Sequence, residues 1–293
     1  MSEIKKYIIG IIILLMGCQT DKISPPDLLQ RYRDRMVVNA VLTSGKPAKL
    51  ILTNSISVID STGLRGISNA NVELQTISDT KNMVYVQGDT NYTSNAIFNP
   101  GESLNLKIEH PDFVNVSSVV RFPDNVNTQS TMTIDGGLDT SGLAGDLLQV
   151  SFNDPTGQTN YYKLNIYYWN QTISEWIPLA FTKSDPSLTA YNSYTLNDAG
   201  VIFSDELFDG SSKVISTVAP SGIVAGNTGN KYLIRFSHIS LDFYEYYRSI
   251  QRAQDAKEVS FEGGFNNAVV IHSNINNGLG ILATQTTNDF ILK

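Results

Sequence analysis

The chain is poor in the residues that build most metal and redox centres: one Cys, three His and two Trp in 293 residues. A lone thiol makes no internal disulfide, so the fold has to stand on its core. A zinc site of cysteines and histidines lacks material for the same reason. Basic residues are outnumbered, 21 Lys plus Arg against 28 Asp plus Glu, and a net charge of −7 argues against a nucleic-acid partner. Charged residues are only 17% of the chain while apolar ones are 41%, which describes a folded protein and excludes wholesale disorder. There is no glycine period and no Glu/Lys/Ala excess, so collagen-like and coiled-coil architectures are out.

Long hydrophobic runs are also missing. The apolar stretch Ile8 to Met16 follows Lys5 and Lys6, and as a helix it reaches about 14 Å, half of what a bilayer needs. A basic start, a short apolar run and small residues before a cut make a secretory signal. The cut falls at Leu15-Met16-Gly17-Cys18, which resembles a bacterial lipobox. Residues 1–17 are therefore expected to be a signal peptide, Cys18 the lipidation site, and 18–35 a lipidated tether carrying Pro25-Pro26. One acyl chain binds a membrane marginally at about 0.8 kcal/mol per buried CH₂, and several make the anchor permanent. The expected partner is a membrane, reached through lipid on Cys18 and never crossed.

Beyond the tether the chain reads as strands. Met36 to Leu42, Ala48 to Thr53, Asn69 to Gln75 and Leu104 to Glu109 alternate apolar and polar residues, with turns at Gly45 to Pro47 and Asn99-Pro100-Gly101. This spacing predicts an immunoglobulin-like β-sandwich over 36–122. Apolar content falls between Pro123 and Gly145, so 123–145 is expected to be a linker. A second β-rich domain is expected over 146–293. It includes Leu148 to Phe152, a hairpin from Tyr161 to Phe181, and strands over Lys213 to Ala219 and Lys231 to Ile239. The fold class is mainly β, with one substantial helix near 240–255. That helix has Leu241, Tyr244, Tyr247, Ile250 and Ala253 on a face and Ser240 or Asp242 as N-cap.

Few residues invite a chemical role. His110, His238 and His272 stand at no metal-ligand spacing, and no nucleophile-elbow motif accompanies them, so packing at strand ends is the expected role. Gly222 to Lys231 is Gly-rich but lacks the end of a phosphate loop and reads as a surface loop. Asp205, Glu206 and Asp209 offer oxygen ligands for Ca²⁺, yet their spacing matches no calcium loop and a solvated turn is preferred. In the aromatic hairpin, Tyr162, Leu164, Ile166 and Tyr168 share one face and Tyr161, Tyr167 and Trp169 the other. One face must be core, while the other is a domain seam or a platform for a glycan or peptide ligand. Sequons at Asn91, Asn115 and Asn170 are chance matches on the bacterial lipobox reading, and Asp60-Ser61-Thr62 resembles a short O-glycosylation site. No cofactor, metal or catalytic residue is expected, and the chain is not expected to be an enzyme.

Near the C-terminus stands Ser273-Asn274-Ile275-Asn276-Asn277-Gly278-Leu279-Gly280-Ile281. It resembles the signature of a Bacteroidota outer-membrane lipoprotein family, domain of unknown function 4249. In the same order come Asn69-Ala70-Asn71-Val72, Asn153-Asp154-Pro155, Asn160-Tyr161-Tyr162 and Leu207-Phe208-Asp209-Gly210. The chain departs from the family at Gly263 to Asn267 and at Leu282. The resemblance implies an outer-membrane lipoprotein, commonly encoded beside a TonB-dependent receptor, with no catalytic residues to carry over. The expected function is a non-enzymatic accessory or ligand-capture partner of such a receptor; the alternative is an independent carbohydrate- or protein-binding module. The Asn277-Gly278 pair is expected to turn the chain between strands, both residues accepting positive φ.

Overall fold

The computed structural model describes residues 34–56, 63–88, 91–220, 222–224, 229, 231–259 and 269–293. The signal peptide, Cys18, nearly all of the tether, and Asp60-Ser61-Thr62 lie outside the described residues. No described helix is long and apolar enough to cross a membrane.

The described residues are mainly β, forming three sheets and one substantial helix. The strands are β1 (Met36–Thr43), β2 (Ala48–Asn54), β3 (Asn71–Gln75), β4 (Thr80–Asn82), β5 (Val84–Val86) and β6 (Asn91–Ser94). Then come β7 (Ser103–Glu109), β8 (Val116–Arg121), β9 (Thr128–Leu138), β10 (Ala144–Asn153), β11 (Tyr161–Asn170) and β12 (Glu175–Pro178). The rest are β13 (Thr182–Lys183), β14 (Tyr194–Thr195), β15 (Val201–Ser204), β16 (Ser212–Val218), β17 (Tyr232–Ile239), helix α1 (Leu241–Val259) and β18 (Leu279–Leu292).

The longest sheet has ten strands in the order β14-β15-β11-β17-β18-β1-β2-β6-β5, with β12 beside β11. Two four-stranded sheets cover its inner face. The sheet β4-β3-β7-β8 closes a first sandwich around Leu50, Leu52, Leu74, Tyr92, Leu104 and Leu106. The sheet β13-β16-β10-β9 closes a second around Val150, Phe152, Tyr162, Phe203, Ile215 and Phe236. Inward residues alternate with exposed ones, as in β2 with Ala48, Leu50 and Leu52 buried, because side chains in a strand repeat every two residues.

Two boundaries differ from the sequence reading. The stretch 123–145 is not a linker: it holds β9, which pairs with β10 along its length. β9 is an edge strand, so only one side of it is pressed against core, and residues such as Thr128, Ser130 and Met132 suffice. Nor is 36–122 closed by itself. β18 pairs in parallel with β1, Val37 opposite Leu279 through Thr43 opposite Gln285, and antiparallel with β17 along Tyr232 to Ile239. From β18, Leu282 enters the first core while Phe290 and Leu292 pack on the second.

Helix α1 lies on the outer face of the long sheet. Phe243 and Tyr244 are buried there with Ile202, Ile239, Ile281 and Ala283. Ser240 caps it, its Oγ accepting from the Phe243 N–H at 3.4 Å. Leu241, expected on the buried stripe, is 52% exposed instead; it stands at the first helical position, before the helix has settled onto the sheet.

Candidate functional site at the seam of the two sandwiches

The chain passes from β8 to β9 through residues 122–127, and this passage is pinned by side chains from the far end of the sequence. Thr284 Oγ1 donates to the Arg121 carbonyl at 2.7 Å and Thr286 Oγ1 to the Pro123 carbonyl at 2.6 Å. Asn288 Nδ2 donates to the Val126 carbonyl at 3.0 Å. Residues 284, 286 and 288 share one face of β18, because side chains in a strand repeat every two residues, and together they reach the carbonyls of residues 121, 123 and 126. From β17, His238 Nδ1 meets the Asp124 carbonyl at 2.9 Å; a carbonyl only accepts, so Nδ1 carries the proton. His238 is 7% exposed, and burial holds its pKa below the ordinary imidazole value.

The Asn-rich signature ties the same seam. Asn274 pairs with Leu282 through both amide atoms, Nδ2 to the carbonyl at 2.8 Å and Oδ1 from the N–H at 3.0 Å. Asn276 and Ser117 exchange backbone hydrogen bonds, which attaches this segment to β8. Asn277 has φ +61°, as expected, but Gly278 does not take positive φ. Gly278 is needed for space: a Cβ there would lie 2.8 Å from Ile275, 2.9 Å from Val116 and 3.0 Å from the Met36 carbonyl. The positive φ falls on Gly280, at +92°, where a Cβ would stand 2.0 Å from the Val38 carbonyl oxygen. The signature is a structural lock between β1, β8 and β18.

Three other motifs meet beneath the second sandwich. Tyr162 donates its hydroxyl to Asp154 Oδ1 in a short hydrogen bond, and Asp154 Oδ2 accepts from the Gly210 N–H at 2.8 Å. Asp205 Oδ2 accepts from the Asn160 N–H at 2.7 Å and from its amide at 3.2 Å. Burial raises the Asp205 carboxyl above its ordinary pKa; burial, and then the Asp154 hydrogen bond, raises the Tyr162 phenol far above its own. Carboxylate oxygens of Asp154, Asp205 and Asp209 lie within 4.8 Å of one another. The acidic turn therefore differs from the sequence reading: Asp205 is buried, not solvated, and Glu206 leaves it for Tyr191 and Asn192. Asp154, which sequence reasoning passed over, takes its place. Protein donors already occupy both Asp154 oxygens, so the cluster reads as a tie between turns.

The remaining residues are dispersed. His110 contacts Asn69 at 2.6 Å in the first sandwich, and His272 Nε2 meets Asp242 at 2.9 Å beside α1. In the hairpin, Tyr162, Leu164 and Ile166 are buried and Tyr168 packs on their core, as the alternation predicts. The opposite face is divided: Tyr161 stacks on Tyr244 of α1 at 4.5 Å, while Trp169 stands edge-on to Trp176 at 5.1 Å. The Asn91 sequon is buried and that of Asn115 exposed. Within Gly222 to Lys231, residues 225–228 and 230 lie outside the described residues.

A cleft of about 400 Å³ opens at the seam, between β8, the turn at 158–161 and the start of α1. Arg121, Asp124, Gln158, Tyr161, His238 and Asp242 line it.

Fold and seam together define a double β-sandwich whose halves share one sheet and are closed by a common C-terminal strand. The chain belongs to the family described as Domain of unknown function (DUF4249), whose model matches residues 22–290. A comparison with curated proteins finds no match.

Proposed function

We propose that the protein is a lipoprotein of the bacterial outer membrane, anchored through Cys18, that acts without catalysis as an accessory of a TonB-dependent receptor in capturing or admitting a ligand. The observation that carries the anchor is Leu15-Met16-Gly17-Cys18 at the end of the apolar run, with the chain's one Cys at the lipidation position. Several acyl chains supply a hold that a 14 Å apolar helix does not. The receptor is inferred from the family resemblance. A body with a shared sheet and a pinned crossing suits such a role, because a rigid partner loses little entropy on docking.

A direct test is affinity capture of the tagged full chain from solubilised outer membranes. The reading predicts a receptor barrel recovered in stoichiometric amount; recovery of the chain alone, under conditions that keep known receptor complexes intact, contradicts it. The cleft at the seam favours a second reading, an independent binding module of the cell envelope, since clefts between packed units are common ligand sites.

A further inference from the structure

We infer that the seam cleft is a binding site for a neutral oligosaccharide. The inference deepens the binding reading and rests on it for the location of the site, but on neither the anchor nor the receptor.

The size is right: about 400 Å³ falls in the ordinary range for small-ligand sites. The lining then selects the ligand. Its fixed charges are two carboxylates, Asp124 and Asp242, against one guanidinium, Arg121. In a chain of net charge −7 this excess repels phosphates, carboxylates and other anions. A cation gains little either, because each carboxylate already has a nitrogen partner within the protein. Arg121 Nη2 stands 3.1 Å from both Asp124 oxygens, and His272 Nε2 stands 2.9 Å from Asp242 Oδ1.

What remains is hydrogen bonding of both signs. Carboxylates accept, a guanidinium donates, and the Gln158 amide does both. Hydroxyl groups answer all three, and a polyol presents several at once. Leu241, 52% exposed, and Val119, 71% exposed, supply apolar surface in the same cleft for the C–H faces of a sugar ring.

The cleft is also preformed. Its wall at 121–124 is held at three carbonyls by Thr284, Thr286 and His238. Its other side is fixed by Asn160, whose amide donates to the carbonyls of Pro155 and Gln158. Little order is then lost when a ligand enters.

The test is calorimetric titration of the full chain, in a detergent that carries no sugar, with cellohexaose, maltohexaose and chitohexaose. A galacturonate oligomer and penta-alanine serve as the anionic and peptide probes. At least one neutral hexaose is expected to bind with a dissociation constant below about 1 mM, and the galacturonate oligomer not to bind. Gln158→Ala and Asp124→Ala, both at exposed positions, should each weaken that binding at least tenfold while leaving the melting temperature in place. Absence of binding by all three hexaoses, binding that survives both substitutions, or binding of penta-alanine in their place would overturn the inference. None of these results bears on receptor capture, which the co-purification reads separately.

Discussion

Thr286 donates its side-chain hydroxyl to the carbonyl of Pro123 at 2.6 Å, across a sequence separation of 163 residues. Both residues are buried. The contact joins the last strand to the passage between the sandwiches, so the two halves meet through backbone that neither could satisfy alone. Thr286→Val keeps the shape and removes the donor, leaving a buried carbonyl without its partner at a cost of about 1–3 kcal/mol. Urea unfolding should show one transition, moved to lower denaturant, and limited proteolysis of the parent should leave 121–138 uncut. A parent protein cleaved first in that stretch would show the passage to be loose.

Gly280 is the position in the signature least tolerant of a side chain. Its φ of +92° strains any L-residue, by about 1–3 kcal/mol, and the Cβ would strike the Val38 carbonyl oxygen at 2.0 Å. Gly280→Ala should therefore weaken both sandwiches together, because β18 serves both cores. Separate melting of two units in that variant, one of them at the parent temperature, would refute the shared-strand account.

Tyr162 has two roles that substitution separates. Tyr162→Ala empties a buried aromatic site and should cost about 3–5 kcal/mol. Tyr162→Phe keeps the ring stacked with Phe236 and removes only the donor to Asp154, for about 1–3 kcal/mol. Thermal unfolding of the pair should rank them in that order. Equal losses would mean that the hydroxyl carries the whole contribution.

The buried imidazole of His238 sets a pH dependence. Its folded pKa lies below 6.5, chiefly through burial, so between that depressed value and 6.5 the unfolded chain binds a proton that the folded one does not. The contribution is present above pH 6.5 and is lost as pH falls through that window. Melting temperatures from pH 7.5 to 5.5 should decline in the parent and decline less in His238→Gln. Parallel curves would place the proton elsewhere.

Much of this was legible in the sequence where one element answers to one pattern. Asn71 to Gln75 alternates because one face is core and the other meets water. The buried side of the aromatic hairpin was legible for the same reason. β9 was not, since an edge strand needs few apolar residues and its Thr-rich alternation resembles a loop by composition. β18 was hidden by burial on both faces at Ile281, Leu282 and Ala283, which erases the period of two. The acidic network was out of reach because Asp154 and Gly210 are 56 positions apart. Local spacing placed Glu206 in that cluster and carried no sign of Asp154.

The proposal that this protein works at a membrane surface stands on Cys18. The most direct measurement is fractionation of cells expressing Cys18→Ala beside the parent, with the chain followed in membrane and soluble fractions. In a host that lacks the receptor, the account predicts the parent in the outer-membrane fraction and the variant released from it, since the acyl chains are then the hold that remains. Full retention of the Cys18→Ala protein in the outer membrane would contradict it.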